Sequence, residues 1–126
     1  MSQSFKTEFD FTRRCQLAII ARKRSNKIPI VVQPLPETKP ALIALKNKAC
    51  SFPSDVTFQS LMTFVRKKIQ EETKVKPEEA IFFSCEKTSG QKVSIAGTAL
   101  LSQVYKENQQ EDGWVYVYYT RELVFG

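Results

Sequence analysis

The longest regular pattern in the chain predicts an amphipathic helix in the segment "FPSDVTFQSLMTFVRKKIQEETK". Its apolar residues recur at intervals of three and four, so they form one stripe along a helix. The stripe consists of Phe58, Leu61, Met62, Val65 and Ile69. Asp55 or Thr57 is placed to cap the first turn, because either side chain can accept a hydrogen bond from a free backbone N–H group. We expect the stripe to cover a sheet.

Shorter apolar runs predict the strands of that sheet. "KIPIVVQP" (27–34) is rich in β-branched residues, a second strand is expected near 46–52 after a proline-rich loop, and "AIFFSCE" (80–86) has strand length. In "GWVYVYYT" (113–120), Trp114, Tyr116 and Tyr118 share one face, and the opposite face is also apolar. A strand that is apolar on both faces belongs at the centre of a sheet.

Helices are also predicted before and between these strands. The segment 4–27 reads as two short helices, and Thr98 is placed to cap a short helix that follows the "TSGQ" turn. The order of elements is helix, helix, strand, strand, helix, strand, short helix, strand. This order predicts an α+β fold, a β-grasp with two additional N-terminal helices, and a ferredoxin-like sandwich is the alternative.

Composition limits the function more than it defines it. The 126 residues are 42% hydrophobic and 25% charged, which is typical of one soluble domain. The apolar stretch 17–21 is far shorter than the roughly 20 residues that cross a bilayer, so we expect a protein of the cytosol or nucleus. The three cysteines are widely spaced, so reduced thiols are expected rather than disulfides. Histidine is absent, which disfavours metal sites and most nucleophilic enzyme mechanisms.

The charge is concentrated near the N-terminus. The net charge is +6, and residues 1–33 hold seven basic and two acidic side chains. Such a surface suits anionic lipid, RNA or an acidic peptide, or it serves solubility alone.

Several segments together resemble the autophagy ubiquitin-like modifiers, the family of the microtubule-associated light-chain and GABA-receptor-associated proteins. They are "SFKTEFDFTRR", "NKIPIVV", "FPSDVTFQSLMTFVRKKI", "EEAIFF" and "LLSQVYKENQQEDGWVYVYYTRELVFG". The match runs through nearly the whole chain in one register. It implies a single ubiquitin-like domain with a helical extension (1–26), a β-grasp core (27–120) and a flexible conjugation tail (121–126).

The resemblance implies that the protein is a substrate rather than an enzyme, and it implies no cofactor or metal. Gly126 would be adenylated by an activating enzyme, passed as a thioester to a conjugating enzyme and joined to phosphatidylethanolamine on autophagosomal membranes. Phe125 would be presented to these enzymes and to a deconjugating cysteine protease. A residue without Cβ suits such narrow sites. The protein would then be cytoplasmic, and membrane-associated once it carries lipid.

The resemblance also implies that receptor peptides add a strand to the sheet edge and insert an aromatic and an aliphatic anchor. The aromatic pocket would be formed by Ile20, Pro29, Val31 and Trp114. The aliphatic pocket would be formed by Phe52, Pro53, Val56, Leu61 and Phe64. Edge pairing would use Lys48, Ala49, Cys50 and Ser51. Each of these residues is also suited to an ordinary core.

One segment departs from the family pattern. Where the family has a Lys-aromatic-Leu run before Val-Pro, this chain has Ala49, Cys50 and Ser51 before Phe52 and Pro53. The flanking lysine and one pocket ring are thereby absent, so we expect a shifted or weakened peptide specificity and unchanged conjugation.

Other functions remain open at this point. A non-conjugating ubiquitin-like interaction domain and a modifier coupled to a protein lysine have the same fold. An RNA-binding protein would need Trp114, Tyr116 and Tyr118 exposed on the sheet face, and we expect no nucleic-acid partner.

Overall fold

The structure is a computed structural model that describes residues 4–23, 27–35, 44–73 and 75–121. Its helices and strands follow the predicted order, with one additional short strand. They are α1 (Phe5–Glu8), α2 (Phe11–Arg22), β1 (Lys27–Pro34), β2 (Ala49–Pro53), α3 (Phe58–Glu72), β3 (Phe82–Glu86), β4 (Lys92–Val93), α4 (Leu101–Asn108) and β5 (Val115–Thr120).

The strands form one mixed sheet in the order β2-β1-β5-β3-β4. β1 and β2 are an antiparallel hairpin, β1 and β5 run parallel, and β3 is antiparallel to β5. β5 therefore lies at the centre, as its two apolar faces predicted, and every residue in it is buried. This topology confirms the β-grasp and excludes the ferredoxin-like alternative.

α3 and α4 cover one face of the sheet. The stripe of α3 packs against Val115, Val117 and Tyr119 in the larger core, with Met62 only partly buried. Thr57 is the N-cap and its hydroxyl accepts from the backbone N–H of Ser60 at 3.2 Å. The sequence had left this choice open between Asp55 and Thr57.

α1 and α2 cover the opposite face. They pack on Trp114, Tyr116 and Tyr118, and the Phe5 side chain is buried among these aromatic rings. Asp10 caps α2 by accepting from the backbone N–H of Arg13 at 2.8 Å. The sheet is thus buried on both sides.

Two predictions need correction, and one strand was not predicted. Thr98 does not cap α4, because the helix begins only at Leu101. The first two N–H groups of the helix, those of Leu101 and Ser102, donate to the backbone carbonyls of residues 56 and 54, at 2.9 Å each. The second strand begins at Ala49 rather than near 46. β4 was not predicted, since two residues are too few to show alternation. Most of the proline-rich loop lies outside the described residues.

Candidate functional site

The predicted conjugation residues, Gly126 and Phe125, lie outside the described residues. The structure describes the point from which they depart. β5 ends at Thr120, and the guanidinium Nε of the next residue, Arg121, lies 3.2 Å from a carboxylate oxygen of Glu79. The tail therefore continues from the central strand of the sheet.

The predicted peptide edge is an outer strand of the sheet. β2 pairs with β1 alone among the described strands. The backbone N–H of Val32 donates to the carbonyl of Lys48 at 2.7 Å, and Pro29, which has no N–H, lies opposite Ser51. Antiparallel residues turn their backbone groups alternately toward and away from the neighbouring strand, so the register fixes which groups face outward.

Two of the four predicted edge residues turn their backbone groups away from β1. By this alternation Ala49 and Ser51 turn their N–H and C=O groups to the open edge, while Lys48 and Cys50 turn theirs toward β1. An added strand would therefore form its hydrogen bonds with Ala49 and Ser51.

The predicted aromatic pocket, here called the α2-side pocket (Ile20, Pro29, Val31 and Trp114), combines one exposed residue with buried ones. Ile20 is 56% exposed, but Trp114 is only 2% exposed and Val31 is fully buried. Ala18 of α2 is buried in the same cluster, and the Phe5 ring lies 5.0 Å from the Trp114 ring. α1 and α2 therefore pack directly on Trp114 and Val31.

A buried polar network holds α2 in this position. Asp112 accepts from Arg14 Nε at 2.9 Å, from the Trp114 backbone N–H at 3.0 Å and from the Tyr116 hydroxyl at 2.5 Å. The Trp114 indole N–H donates to the Arg14 carbonyl at 2.9 Å. Burial, and then the bond to Asp112, raise the pKa of Tyr116, so its proton stays in place.

The predicted aliphatic pocket, here called the α3-side pocket (Phe52, Pro53, Val56, Leu61 and Phe64), is more open. Leu61 is buried beneath it, and Phe64 is 41% exposed. The rings of Phe52 and Phe64 meet edge to face with centroids 5.2 Å apart. These two rings line the pocket that lacks an aromatic residue at position 50.

Cys50 points toward the larger core on the same side as this pocket. Burial raises the pKa of its thiol to about 11, which disfavours the thiolate, the nucleophilic form, at neutral pH. It acts as a small apolar residue.

The lysines at the two ends of the groove differ in their partners. Lys48 Nζ lies 3.1 Å from a carboxylate oxygen of Glu8 in α1, and its side chain is only 15% exposed. Lys68 lies over the Phe64 ring, 5.7 Å from its centroid. The sequence analysis named Lys48 only for edge pairing and missed its ion pair with Glu8, and it did not name Lys68 as a groove residue. Glu8 and Lys48 are too far apart in sequence to give a signal, whereas Lys68 could have been found, because it lies one helical turn beyond Phe64.

The basic N-terminal segment is partly neutralised. Lys6 and Arg14 pair with Glu86 and Asp112, which fixes α1 and α2 to the sheet. Arg22 is exposed, and its guanidinium donates to the Tyr105 hydroxyl at 3.1 Å. Several of these charges therefore serve the fold.

Two other readings can be compared with the described residues. Trp114, Tyr116 and Tyr118 are all buried under α1 and α2, so they offer no stacking surface for RNA bases. Within the described ranges there is no group of three or more potential metal ligands, and no helix there is long and apolar enough to cross a membrane.

The β-grasp sheet, its two N-terminal helices and its open edge strand define a ubiquitin-like protein with a helical extension. Residues 12–126 match the family model described as "Autophagy protein Atg8 ubiquitin like". The chain therefore belongs to the Atg8 family of ubiquitin-like autophagy proteins, which confirms the resemblance.

Relatives match along the whole chain. It is similar to "Autophagy-related protein 8" of Mycosarcoma maydis, with 32% identity over 127 residues, covering 100% of this chain and 98% of the relative. It is 35% identical over 124 residues to "Autophagy-related protein 8A" of Oryza sativa subsp. indica, covering 98% of this chain and 95% of the relative. The crystal structure of Trypanosoma brucei ATG8 has the same fold, with a TM-score of 0.76 and 24% identity over the full length of both chains.

Proposed function

We propose that the protein is a ubiquitin-like modifier whose Gly126 carboxylate is joined to the amine of phosphatidylethanolamine on autophagosomal membranes. The observation that carries the proposal is the family match, which extends to residue 126. The residues 1–26, 27–120 and 121–126 then serve as helical extension, core and conjugation tail of one domain. The protein itself acts as a substrate, from a cytoplasmic pool.

The chemistry explains why Gly126 would need partner enzymes. A carboxylate acylates poorly, so ATP converts it to an acyl adenylate with release of pyrophosphate. An enzyme cysteine displaces AMP to form a thioester, and the lipid amine then displaces the thiol to form an amide. Phe125 would lie in the same enzyme sites, and a deconjugating cysteine protease would hydrolyse the amide.

Incubation with activating and conjugating enzymes, ATP and phosphatidylethanolamine liposomes tests this proposal. We expect a faster-migrating lipidated form with the natural sequence and none with Gly126→Ala. Liposomes of phosphatidylcholine, which has no primary amine, are the matched control. A product that forms equally with Gly126→Ala would contradict the proposal, and an absence of product would favour the non-conjugating interaction domain. A product linked to a protein lysine instead would identify the third alternative.

We also propose that the open edge of β2 binds receptor peptides by strand addition. The outward N–H and C=O groups of Ala49 and Ser51 support this proposal. Calorimetry with an acidic peptide of the aromatic-x-x-aliphatic type measures the interaction. Because of Ala49, Cys50 and Ser51, we expect weaker binding than the low-micromolar affinity of an ordinary groove.

One substitution separates strand addition from other contacts. Ser51→Pro removes an outward N–H that β1 does not use, together with the Ser51 hydroxyl, so the fold should persist and peptide binding should be lost. Ser51→Ala is the control, because both variants lose the hydroxyl bond to the Ala21 carbonyl. Equal affinities of the two variants would argue against strand addition.

A further inference from the structure

The side of α2 that faces away from the sheet is a separate surface, here called the outer face of α2. The helix buries Ala18 against the sheet, and Cys15, Leu17 and Ala21 beside it are half-buried. With 3.6 residues per turn, the opposite side of the helix carries six exposed side chains. They are those of Thr12, Arg13, Gln16, Ile19, Ile20 and Lys23.

We propose that the outer face of α2 docks on an anionic lipid surface. Ile19 and Ile20 enter the headgroup layer, and Arg13 and Lys23 lie against the negative groups of the lipids. This contact is non-covalent and does not depend on the lipid linkage proposed for Gly126.

The apolar part of the outer face consists of two adjacent isoleucines. Ile19 is 60% exposed and Ile20 is 56% exposed, more than any other large hydrophobic side chain that the structure describes. A single exposed isoleucine is ordinary on a protein surface. Two neighbours on one helix face, with basic residues on both sides along the helix, form the arrangement of helices that lie in a membrane interface.

The charged part of the outer face is positive and uncompensated. Arg13 donates to the side chain of Gln16 at 3.2 Å, and neither Arg13 nor Lys23 forms an ion pair with the described residues. The face itself holds no acidic side chain. Lys6 and Arg14, by contrast, are paired with carboxylates of the core domain. Such a free positive charge is attracted to anionic lipids.

The combination of these two parts favours a lipid surface over a second copy of the chain. Two outer faces brought together would place cations against cations, which opposes association. A bilayer offers acyl chains to the isoleucines and negative headgroups to the basic residues at the same time. The long stems of Arg13 and Lys23 can lie along the apolar boundary while their charges reach the headgroups.

The outer face lies far from the conjugation tail. α2 crosses the end of the sheet where β1 and β5 begin, since the Arg14 carbonyl accepts from the Trp114 indole and the Ala21 carbonyl accepts from the Ser51 hydroxyl. The tail leaves from Thr120, at the other end of β5. We therefore expect α2 to bind a bilayer in the unconjugated protein.

Sedimentation with lipid vesicles tests the proposal, using the unconjugated full chain without enzymes or ATP. We expect reversible binding to vesicles of phosphatidylcholine and phosphatidylserine. Binding to phosphatidylcholine alone should be weaker by about tenfold or more, and high salt should weaken the phosphatidylserine interaction similarly. No binding to phosphatidylserine vesicles, or equal binding to both kinds of vesicle, would overturn the inference.

Two pairs of variants assign the binding to α2. Ile19→Ser combined with Ile20→Ser should weaken binding about tenfold, whereas Leu100→Ser, at another exposed aliphatic residue, should not. Circular dichroism and an unchanged urea midpoint would show that the variants are folded. Equal binding by the isoleucine variant and the natural sequence would refute the role of this face.

The charge variants keep the net charge matched. Arg13→Gln combined with Lys23→Gln should weaken binding about tenfold at low salt. Lys67→Gln combined with Lys106→Gln removes the same charge from exposed positions on α3 and α4 and should weaken binding less than about threefold. Equal losses from the two double variants would show that net charge alone drives binding and would overturn the inference.

A fluorescent reporter separates lipid contact from binding to an acidic protein surface. The emission of Ile20→Trp should shift to the blue with phosphatidylserine vesicles, and that of Leu100→Trp should not. If poly-glutamate produces the same shift and competes fully with the vesicles, the partner is an acidic polypeptide and the lipid proposal is wrong. Gly126→Ala should bind vesicles as tightly as the natural sequence, so failure of the conjugation proposal would leave this result unchanged.

Discussion

Replacing Asp112 with alanine removes the acceptor that joins α2 to the central strand. The buried Asp112 carboxylate accepts three hydrogen bonds, from Arg14 Nε, the Trp114 N–H and the Tyr116 hydroxyl, at 2.5 to 3.0 Å. Removal leaves a mostly buried guanidinium without its carboxylate, and breaking a buried pair in this way costs about 3–5 kcal/mol. The two bonds from neutral donors, the Trp114 N–H and the Tyr116 hydroxyl, contribute about 1 kcal/mol each, and this contribution overlaps with the cost of breaking the ion pair. We therefore expect Asp112→Ala to lower the free energy of unfolding by about 4 kcal/mol.

Urea denaturation followed by Trp114 fluorescence measures this loss. With a slope of about 2 kcal/mol per molar urea, the midpoint should fall by about 2 M. Glu111→Ala is the control, because Glu111 is the exposed neighbour and its loss should change stability by less than about 0.5 kcal/mol. A decrease below about 1 kcal/mol in Asp112→Ala would refute the view that this network holds α2 on the sheet.

Three further predictions concern stability. Burial raises the pKa of Cys50 from 9.0 to about 11, so the unfolded chain loses this proton first and the free energy of unfolding should fall between pH 9 and 11. Between pH 7 and pH 10, Cys50→Ala should lose about 1 kcal/mol less unfolding free energy than the natural sequence, as measured by urea midpoints. Equal losses in the two proteins would contradict this. Phe5→Ala should be destabilised by about 3 kcal/mol because Phe5 is buried, whereas Phe11→Ala should be destabilised by less than about 0.5 kcal/mol because Phe11 is exposed. Similar urea midpoints for the two variants would argue against a docked α1. Gly113→Ala should be less stable in urea than Gly90→Ala by about 1 kcal/mol. Both glycines have a positive φ, but only at Gly113 would an added Cβ meet another side chain, that of Ala18 at 3.0 Å. Equal stability of the two variants would show that α2 yields at this contact.

The elements that sequence predicted well carry local signals. The stripe of α3 repeats over about three turns. The alternation of β5 identifies two apolar faces, so the central place of β5 in the sheet followed directly. α4 was placed correctly but its cap was not. Thr98 has the residue type of a cap, whereas the actual partners of the first N–H groups are carbonyls some 45 residues away in sequence.

The state of the groove could not be predicted from residue types. Trp114 and Val31 suit a pocket wall and a buried core equally well, and only the docking of α1 and α2 decides between the two. The ion pair of Lys48 with Glu8 likewise depends on how α1 lies against β2. Residue type can thus suggest which residues line a pocket, whereas the exposure of those residues depends on tertiary packing.

The most direct test of the central claim is mass spectrometry of the C-terminal peptide after the conjugation reaction. Trypsin cleaves after Arg121, so the product should contain the pentapeptide ELVFG, residues 122–126, with phosphatidylethanolamine in amide linkage to Gly126. An Atg8 relative and its own enzymes serve as the positive control. If the relative is lipidated and this pentapeptide appears only in unmodified form, the account of the chain as a lipid-conjugated modifier is contradicted.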